Sequence, residues 1–225
     1  MASYNRIFFL IFAFIVSVSV QASTQASIQT STQAETKQRH PFYVGVAGGS
    51  GATTWSYLVP KYMSDALSTS IPVRVSEGGK VWGVQVGYEF IPEFAMELSY
   101  MYYPVANLYF DEDSLFTYLQ HGNNKLKTHT SRVALAGKIM LTIPHTPVKA
   151  FSSFGAAEVY RYDKIVRRWR LNPTFGAGLD YDITEHVMAE VGTEYVAGYG
   201  QSELDPCDHF IPFLYSGFFR LNYRF

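Results

Sequence analysis

The side chains best suited to chemistry are a histidine and a serine two residues apart, in His129-Thr130-Ser131. A serine hydroxyl becomes a nucleophile when a neighbouring histidine accepts its proton, and enzymes use this pairing in acyl transfer. Residues two apart lie on one face of a β-strand, so a strand would hold the two side chains together. A His-x-Ser sequence also arises by chance, and a strand without catalytic function is the alternative.

A second group with chemical potential is the acidic run Asp111-Glu112-Asp113. Carboxylate oxygens bind Ca²⁺, but three adjacent carboxylates converge on one ion only where the backbone bends. We expect a solvated run instead, with Asp113 as the N-cap of a helical turn over residues 114–120. The sequence therefore predicts no metal site, and nothing in it indicates a cofactor.

The residues 200–212 contain the only cysteine, Cys207, beside Asp205, Asp208 and His209. A single cysteine forms no disulfide within the chain. Its thiol is left either idle or free to cross-link subunits, and the flanking acidic and histidine residues indicate no particular site.

The composition limits the class of protein that could carry these motifs. Lys and Arg number 18 and Asp and Glu 19, without the clustered basic excess of a nucleic-acid-binding protein. Tyr, Phe and Gly are abundant at 17 each. No long apolar run follows residue 20, so a membrane protein of this composition must cross with strands that close into a barrel.

The N-terminal residues are typical of an exported protein. Arg6 precedes an apolar run over residues 7–20, and Val20-Gln21-Ala22 follows. This pattern predicts a signal peptide over residues 1–22; a membrane anchor is the weaker alternative, because the run is shorter than the roughly 20 residues of a spanning helix. Residues 23–40 are rich in Ser, Thr and Gln and predict a flexible periplasmic tail.

From residue 41 onward, apolar and polar residues alternate with the two-residue period of β-strands. The segments predicted as strands are residues 42–49, 80–90, 93–103, 127–142, 148–160, 170–183, 186–199 and a last one ending at Phe225. The predicted fold of residues 41–225 is all-β, an eight-stranded antiparallel up-and-down transmembrane β-barrel.

The connections between these strands alternate in length. Residues 91–92, 143–147 and 184–185 form tight turns, whereas residues 50–79, 104–126, 161–169 and 200–212 are predicted as longer loops. Short periplasmic turns and longer extracellular loops are typical of outer-membrane barrels. Aromatic residues near both strand ends predict the two girdles of such a barrel, with Trp82, Tyr102, Tyr199 and Tyr215 outside and Phe42, Phe90, Phe94, Tyr181 and Phe225 inside.

If the apolar faces point to lipid, the opposite faces line the lumen and carry matched charges. The predicted lumen ion-pair network consists of Glu89, Glu97, Asp180, Glu190 and Glu194 with Arg132, Lys138, Lys149, Arg220 and Arg224. Buried charges must be paired, so these residues are expected to fill the barrel, with glycines on the same faces leaving room for them. A narrow pore for small solutes is one alternative. A soluble lipocalin-like carrier, with the apolar faces inside, is another.

The C-terminal strand carries the most specific pattern, with alternating residues Gly217, Phe219, Leu221, Tyr223 and the final Phe225. It resembles the terminal strand that the outer-membrane assembly machinery recognises. By this strand and its architecture, the chain resembles the small eight-stranded barrels: the OmpA transmembrane domain, OmpX and the opacity-type surface proteins. The resemblance implies the outer membrane of a Gram-negative bacterium as the location.

The resemblance also bears on the function. His129 and Ser131 are similar to the His-x-Ser element of outer-membrane lipid A deacylases, but Arg132 follows where that family has Asn, and the family's motif lies nearer its C-terminus. We therefore expect no enzyme. The expected role is structural or adhesin-like, through extracellular loops that contact a host or surface ligand. The other expected partners are outer-membrane lipid, lipopolysaccharide and the assembly machinery, without nucleic acid.

Overall fold

A computed structural model describes residues 41–58, 71–198 and 211–225 of the chain. Several predictions lie outside these ranges, namely the signal peptide, the tail, Tyr199, Asp205, Cys207, Asp208 and His209. Among the described residues, no helix combines the length and the apolar character needed to cross a membrane.

The described residues are mostly extended. The strands are β1 (Phe42–Thr53), β2 (Arg74–Ser76), β3 (Gly79–Ile91), β4 (Phe94–Tyr102), β5 (Ala106–Tyr109), β6 (Lys125–Thr142), β7 (Val148–Tyr162), β8 (Arg167–Asp182), β9 (Val187–Val196) and β10 (Leu214–Arg224). A 3-10 turn covers Trp55–Leu58, and the short helix α1 covers Leu115–Leu119.

The eight longer strands close into an antiparallel barrel. Their order around the barrel is β1, β3, β4, β6, β7, β8, β9 and β10, and β10 pairs again with β1. Phe225 extends this last pairing, because its backbone N–H donates to the carbonyl oxygen of Phe42 at 2.8 Å. The predicted eight-stranded up-and-down barrel is confirmed.

The alternating pattern assigns one face of every barrel strand to the outside. On β1, Phe42 and Val44 are 47% and 42% exposed, whereas Tyr43 between them is 2% exposed. Apolar residues on the outer surface and polar residues in the lumen are the arrangement of a barrel that lies in lipid. A lipocalin-like carrier has the opposite arrangement, so that alternative is wrong.

The two ends of the barrel differ in their connections. The end with residues 92–93, 143–147 and 183–186 is called the turn end here, and the opposite end the loop end. At the turn end the hydroxyl of Thr184 accepts from the backbone N–H groups of His186 and Val187 at 3.2 and 3.0 Å. A turn that is stabilised by such side-chain hydrogen bonds joins two strands with few residues.

The third loop is shorter than predicted. Residues 161–169 were expected to form a long loop, but β7 and β8 stay paired up to Tyr162 and Arg167, and only residues 163–166 connect them. The reason is a turn around Asp163, whose carboxylate accepts from the N–H groups of Ile165 and Val166 at 2.9 and 2.8 Å. The prediction of a strict alternation of loop lengths is therefore wrong at this loop.

At the loop end the barrel wall continues as a small sheet. β5 pairs with the first residues of β6, and β2 pairs with β5. Buried apolar residues pack below this sheet in a separate core, called here the loop-end cluster, which consists of Trp55, Ala106, Leu108, Phe110, Phe116 and Leu126. Parts of the first two loops therefore form a packed structure above the barrel.

Candidate functional site

The lumen contains a network of buried charges centred on Lys138. This lysine, on β6, lies 2.8 Å from Glu190 on β9 and 3.0 Å from Asp180 on β8. Glu97 on β4 is 3.3 Å away. The side chains of Lys138, Asp180 and Glu190 are 0% exposed, so one ammonium group holds three carboxylates together inside the barrel.

Two arginines extend the network towards the loop end. Arg220 on β10 lies 2.7 Å from Glu190 and 3.3 Å from Glu194. Arg132 on β6 also pairs with Glu194 and donates to the Ser99 hydroxyl at 3.0 Å. Glu194 therefore joins two guanidinium groups from different sides of the lumen.

A third arginine forms a separate group near the turn end. Arg224 lies 2.9 Å from Glu89 and 2.6 Å from Asp182, and Lys149 lies 3.4 Å from Asp182. All ten charged residues predicted for the lumen thus form ion pairs with one another or with Asp182. The alternation of β8 had placed Asp182 on the inner face, but it was not among the predicted network residues.

Aromatic rings, rather than long cationic side chains, occupy the space beside three of the lumen glycines, namely Gly87, Gly178 and Gly192. A Cβ atom at Gly87 would lie 2.1 Å from the Tyr43 ring, whose hydroxyl donates to Glu97 at 2.6 Å. At Gly178 a Cβ atom would lie 2.7 Å from the Phe151 ring, which Lys138 contacts at 4.1 Å from its centroid. The expectation that glycines make room for Arg and Lys is therefore wrong at these three positions.

The chemistry that the network supports is that of a polar filling. Six carboxylates face five cations, and most of these side chains are less than a tenth exposed. A buried charge costs several kcal/mol unless it is paired and hydrogen-bonded, and here each cation has at least one carboxylate partner. The network joins opposite walls of the barrel through buried contacts.

A second buried ion pair lies at the loop end of the lumen. Arg161 lies 2.7 Å from Asp163, and its guanidinium carbon is 4.6 Å from the centroid of the Trp55 ring. Both Arg161 and Trp55 are fully buried. Trp55 comes from the first loop, so this part of the loop packs into the mouth of the barrel. Trp55 lies outside the alternating segments, so no strand pattern indicates this contact.

His129 and Ser131 both lie on β6, two residues apart and on the outward-facing side. The Nδ1 atom of His129 is 3.1 Å from the hydroxyl of Tyr102. Ser131 lies between Tyr102 on β4 and Tyr160 on β7 in the strand register. Ser131 therefore belongs to an aromatic row on the outer wall, and His129 lies one register step above that row.

The acidic run precedes α1, but the cap is a different residue. Ser114 is the N-cap, because its hydroxyl accepts from the backbone N–H of Thr117 at 3.1 Å. The prediction of Asp113 as the cap is wrong. Among the described residues, no group of three His, Cys, Asp or Glu is arranged to hold a metal ion.

One face of α1 is apolar and exposed to water. Leu115, Tyr118 and Leu119 are 51%, 82% and 61% exposed. On the other face, Phe116 is buried and stacks on Phe110 with ring centroids 3.9 Å apart. The three exposed residues are called the apolar ridge, and the packing of Phe116 fixes the orientation of the helix that carries them.

The predicted assembly residues lie together on the outer face of β10. Phe219, Leu221, Tyr223 and Phe225 are 44% to 60% exposed. Open space surrounds the Cα atom of Gly217 where a side chain would project. Their recognition by the assembly machinery stays a prediction.

The family follows from comparison with known proteins. A family model described as an outer membrane protein beta-barrel domain matches residues 10–210. The chain belongs to this family. As an outer-membrane β-barrel protein, it is located in the bacterial outer membrane. No curated protein is similar enough in sequence to match.

Solved structures of small outer-membrane barrels are similar to this chain. Neisserial surface protein A is 12% identical with a TM-score of 0.50, and the alignment covers 82% of this chain and 97% of that one. OprG from Pseudomonas aeruginosa is 10% identical with a TM-score of 0.50, covering 84% and 98%. The N-terminal barrel domain of OprF from the same organism is 15% identical with a TM-score of 0.49, covering 84% and 100%. At such identities, the shared property is the fold.

Membership of the family also orients the barrel. Outer-membrane barrels keep their short turns in the periplasm and their longer connections outside the cell. The loop end of this barrel is therefore the extracellular end, where the loop-end cluster and the apolar ridge lie.

Proposed function

We propose that this outer-membrane barrel is a non-enzymatic, adhesin-like surface protein that binds a protein on another cell through the apolar ridge. The barrel anchors the ridge in the membrane, and the lumen network makes that anchor rigid. The observation that carries the proposal is the exposure of Leu115, Tyr118 and Leu119 on one face of α1 at the extracellular end.

The spacing and chemistry of the ridge support a binding role. Residues at positions i, i+3 and i+4 of a helix are neighbours on its surface, so the three side chains form one patch. Large apolar side chains exposed together to water favour contact with another surface. Tyrosine is also among the residues that contribute most to binding energy at protein interfaces.

The ridge is also held in one orientation before any contact. The Ser114 cap fixes the start of α1, and the stack of Phe110 on Phe116 fixes its inner face. A surface that is already ordered loses less conformational entropy on binding. This arrangement favours a role in contact over a role as a flexible loop.

A matched pair of variants tests the proposal. One variant replaces Leu115, Tyr118 and Leu119 by serine and so removes the ridge. The control variant replaces Asp111, Glu112 and Asp113 by Asn, Gln and Asn, which changes the neighbouring surface and leaves the ridge residues unchanged. Bacteria that produce each variant are assayed for attachment to host cells. A folded barrel migrates differently on a detergent gel before and after heating, and this heat-dependent gel shift verifies that each variant is folded. We expect the serine variant alone to lose attachment. Equal attachment by both variants and the unchanged protein would refute the role of the ridge.

A narrow pore is the second candidate, because charged side chains from seven strands line the lumen. Planar bilayers separate the two functions. We expect the purified barrel to pass almost no current, since paired side chains occupy the lumen. Stable unit conductance would favour the pore instead.

The absence of an enzymatic role is part of the proposal. His129 makes a contact with Tyr102 that suits a structural position beside the aromatic row. The Ser131→Ala variant should leave the lipid A composition of the outer membrane unchanged, as measured by mass spectrometry. A change in acylation would identify Ser131 as a nucleophile.

A further inference from the structure

The outer wall carries an aromatic row at the upper edge of its apolar surface. Tyr102, Ser131, Tyr160 and Trp169 are direct neighbours on β4, β6, β7 and β8. Strands rise about 3.3 Å per residue and tilt by about 40° in such barrels. Ten residues along β6, from Leu141 to Ser131, therefore span about 25 Å, the height of the apolar band of an outer-membrane barrel.

Cations follow directly above this row, on the same outward-facing side. The next register step contains Arg167, beside Tyr162 and His129. Lys127 follows one step higher and pairs with Asn107. Another step higher, Lys125 and Arg74 both pair with Tyr109. The four cations Arg74, Lys125, Lys127 and Arg167 are called the basic belt.

Aromatic rings hold three of the four cations of the belt in position. Arg74 and Lys125 contact the Tyr109 ring at 4.6 and 5.0 Å from its centroid. Arg167 lies 5.1 Å from the Tyr162 ring and donates through Nε to the Tyr160 hydroxyl at 2.8 Å. The ammonium group of Lys125 holds the pKa of the Tyr109 phenol below its ordinary value, and the guanidinium group of Arg74 acts in the same direction.

The belt has an excess of positive charge. Within the described ranges, Arg74, Lys125, Lys127 and Arg167 form no ion pair with a carboxylate, unlike the five cations of the lumen. Arg74, Lys127 and Arg167 are exposed. A row of outward cations just above the apolar band faces the headgroup region of the outer leaflet.

We infer that the basic belt binds the phosphate groups of lipopolysaccharide in the outer leaflet. The aromatic row contacts the boundary between the acyl chains and the sugars, and the belt lies one to three register steps above it. Arg and Lys are the residues that bind phosphate groups through charge-assisted hydrogen bonds. This site is independent of the apolar ridge, because it lies on the outer wall and faces lipid rather than another cell.

The test uses the full-length barrel in detergent, titrated with lipid A that carries both phosphates and with dephosphorylated lipid A. Binding is followed by tryptophan fluorescence, since Trp169 lies in the aromatic row. The variants are Lys127→Gln, the triple variant Lys125→Gln/Lys127→Gln/Arg167→Gln, and Lys80→Gln as the control. Lys80 is also an exposed lysine near the loop end, but it lies on β3 outside the belt.

We expect the unchanged protein to prefer phosphorylated lipid A. Each belt charge removed should weaken its binding about fivefold, so the triple variant should lose roughly a hundredfold, whereas Lys80→Gln should bind as the unchanged protein does. The heat-dependent gel shift verifies folding, and the single variants decide the question if the triple variant does not fold.

Three results would overturn the inference. One is equal binding of the two lipids by the unchanged protein, and another is an equal loss in Lys127→Gln and Lys80→Gln. The third is full displacement of lipid A by inorganic phosphate alone, which would assign the belt to a free anion. Persistence of lipid binding in the presence of phosphate supports the lipid assignment.

Discussion

Lys138 and Glu190 lie 2.8 Å apart across the lumen, on strands β6 and β9 that do not pair with each other. The contact joins two walls of the barrel, and neither side chain is exposed. Because Asp180 and Glu97 share the same ammonium group, the loss of Lys138 would leave three carboxylates close together without their common partner.

The first prediction concerns this contact. Lys138→Met should lower the free energy of unfolding by about 3–5 kcal/mol, because it leaves buried charge uncompensated. Urea unfolding in lipid vesicles, followed by tryptophan fluorescence, measures the change. Lys80→Met removes an exposed lysine in the same way and should change stability by less than about 0.5 kcal/mol. Similar losses in both variants would contradict the buried network.

The second prediction concerns the space at Gly87. Gly87→Ala places a Cβ atom 2.1 Å from the Tyr43 ring, so the ring must move away from Glu97. We expect a loss of about 1–3 kcal/mol from this overpacking. Gly48→Ala is the control, because its Cβ atom meets nothing within 4 Å. The same unfolding measurement applies, and a neutral Gly87→Ala would show that Tyr43 does not depend on this gap.

The third prediction distinguishes the two candidate caps of α1. Ser114→Ala removes the acceptor of the Thr117 N–H and should cost about 1 kcal/mol locally. Amide hydrogen exchange at Thr117, measured by NMR, should become about fivefold faster. Asp113→Ala should leave this exchange rate nearly unchanged. If Asp113→Ala had the larger effect, the cap assignment would be wrong.

The fourth prediction tests the role of the C-terminal aromatic residue in assembly. Phe225→Ala should reduce the heat-modifiable protein in the outer-membrane fraction severalfold, because the terminal side chain is part of the predicted assembly signal. Phe90→Ala removes another exposed aromatic side chain at the turn end. Equal losses would indicate that both residues act only as girdle residues.

Much of the fold could be predicted from the sequence, because a strand has only two faces. The alternation on β3 was enough to place Trp82 and Gln85 on opposite faces, as the exposure of Trp82 and the burial of Gln85 confirm. The third loop could not be predicted in the same way. Its strands continue beyond the apolar band, and the turn at Asp163 depends on hydrogen bonds to two backbone N–H groups.

The candidate sites were predicted unequally. Ion-pair partners in the lumen could be assigned to a face but not to one another, because sequence alternation contains no information on register between strands. The position of Trp55 against Arg161 was also missed, since the first loop has no period that indicates which of its residues is buried. Ser114 was overlooked as a cap because the acidic residues before it are equally suitable by type.

The sequence by itself determined which side chains of each strand share a face, because the two-residue period of a strand makes this choice for every position. Only the tertiary structure decided which lumen charges meet. The tilt and stagger of barrel strands bring Lys138 to Asp180 and Glu190, which are 42 and 52 positions away in the chain. That stagger depends on all eight strands together, so no single segment of the sequence specifies it.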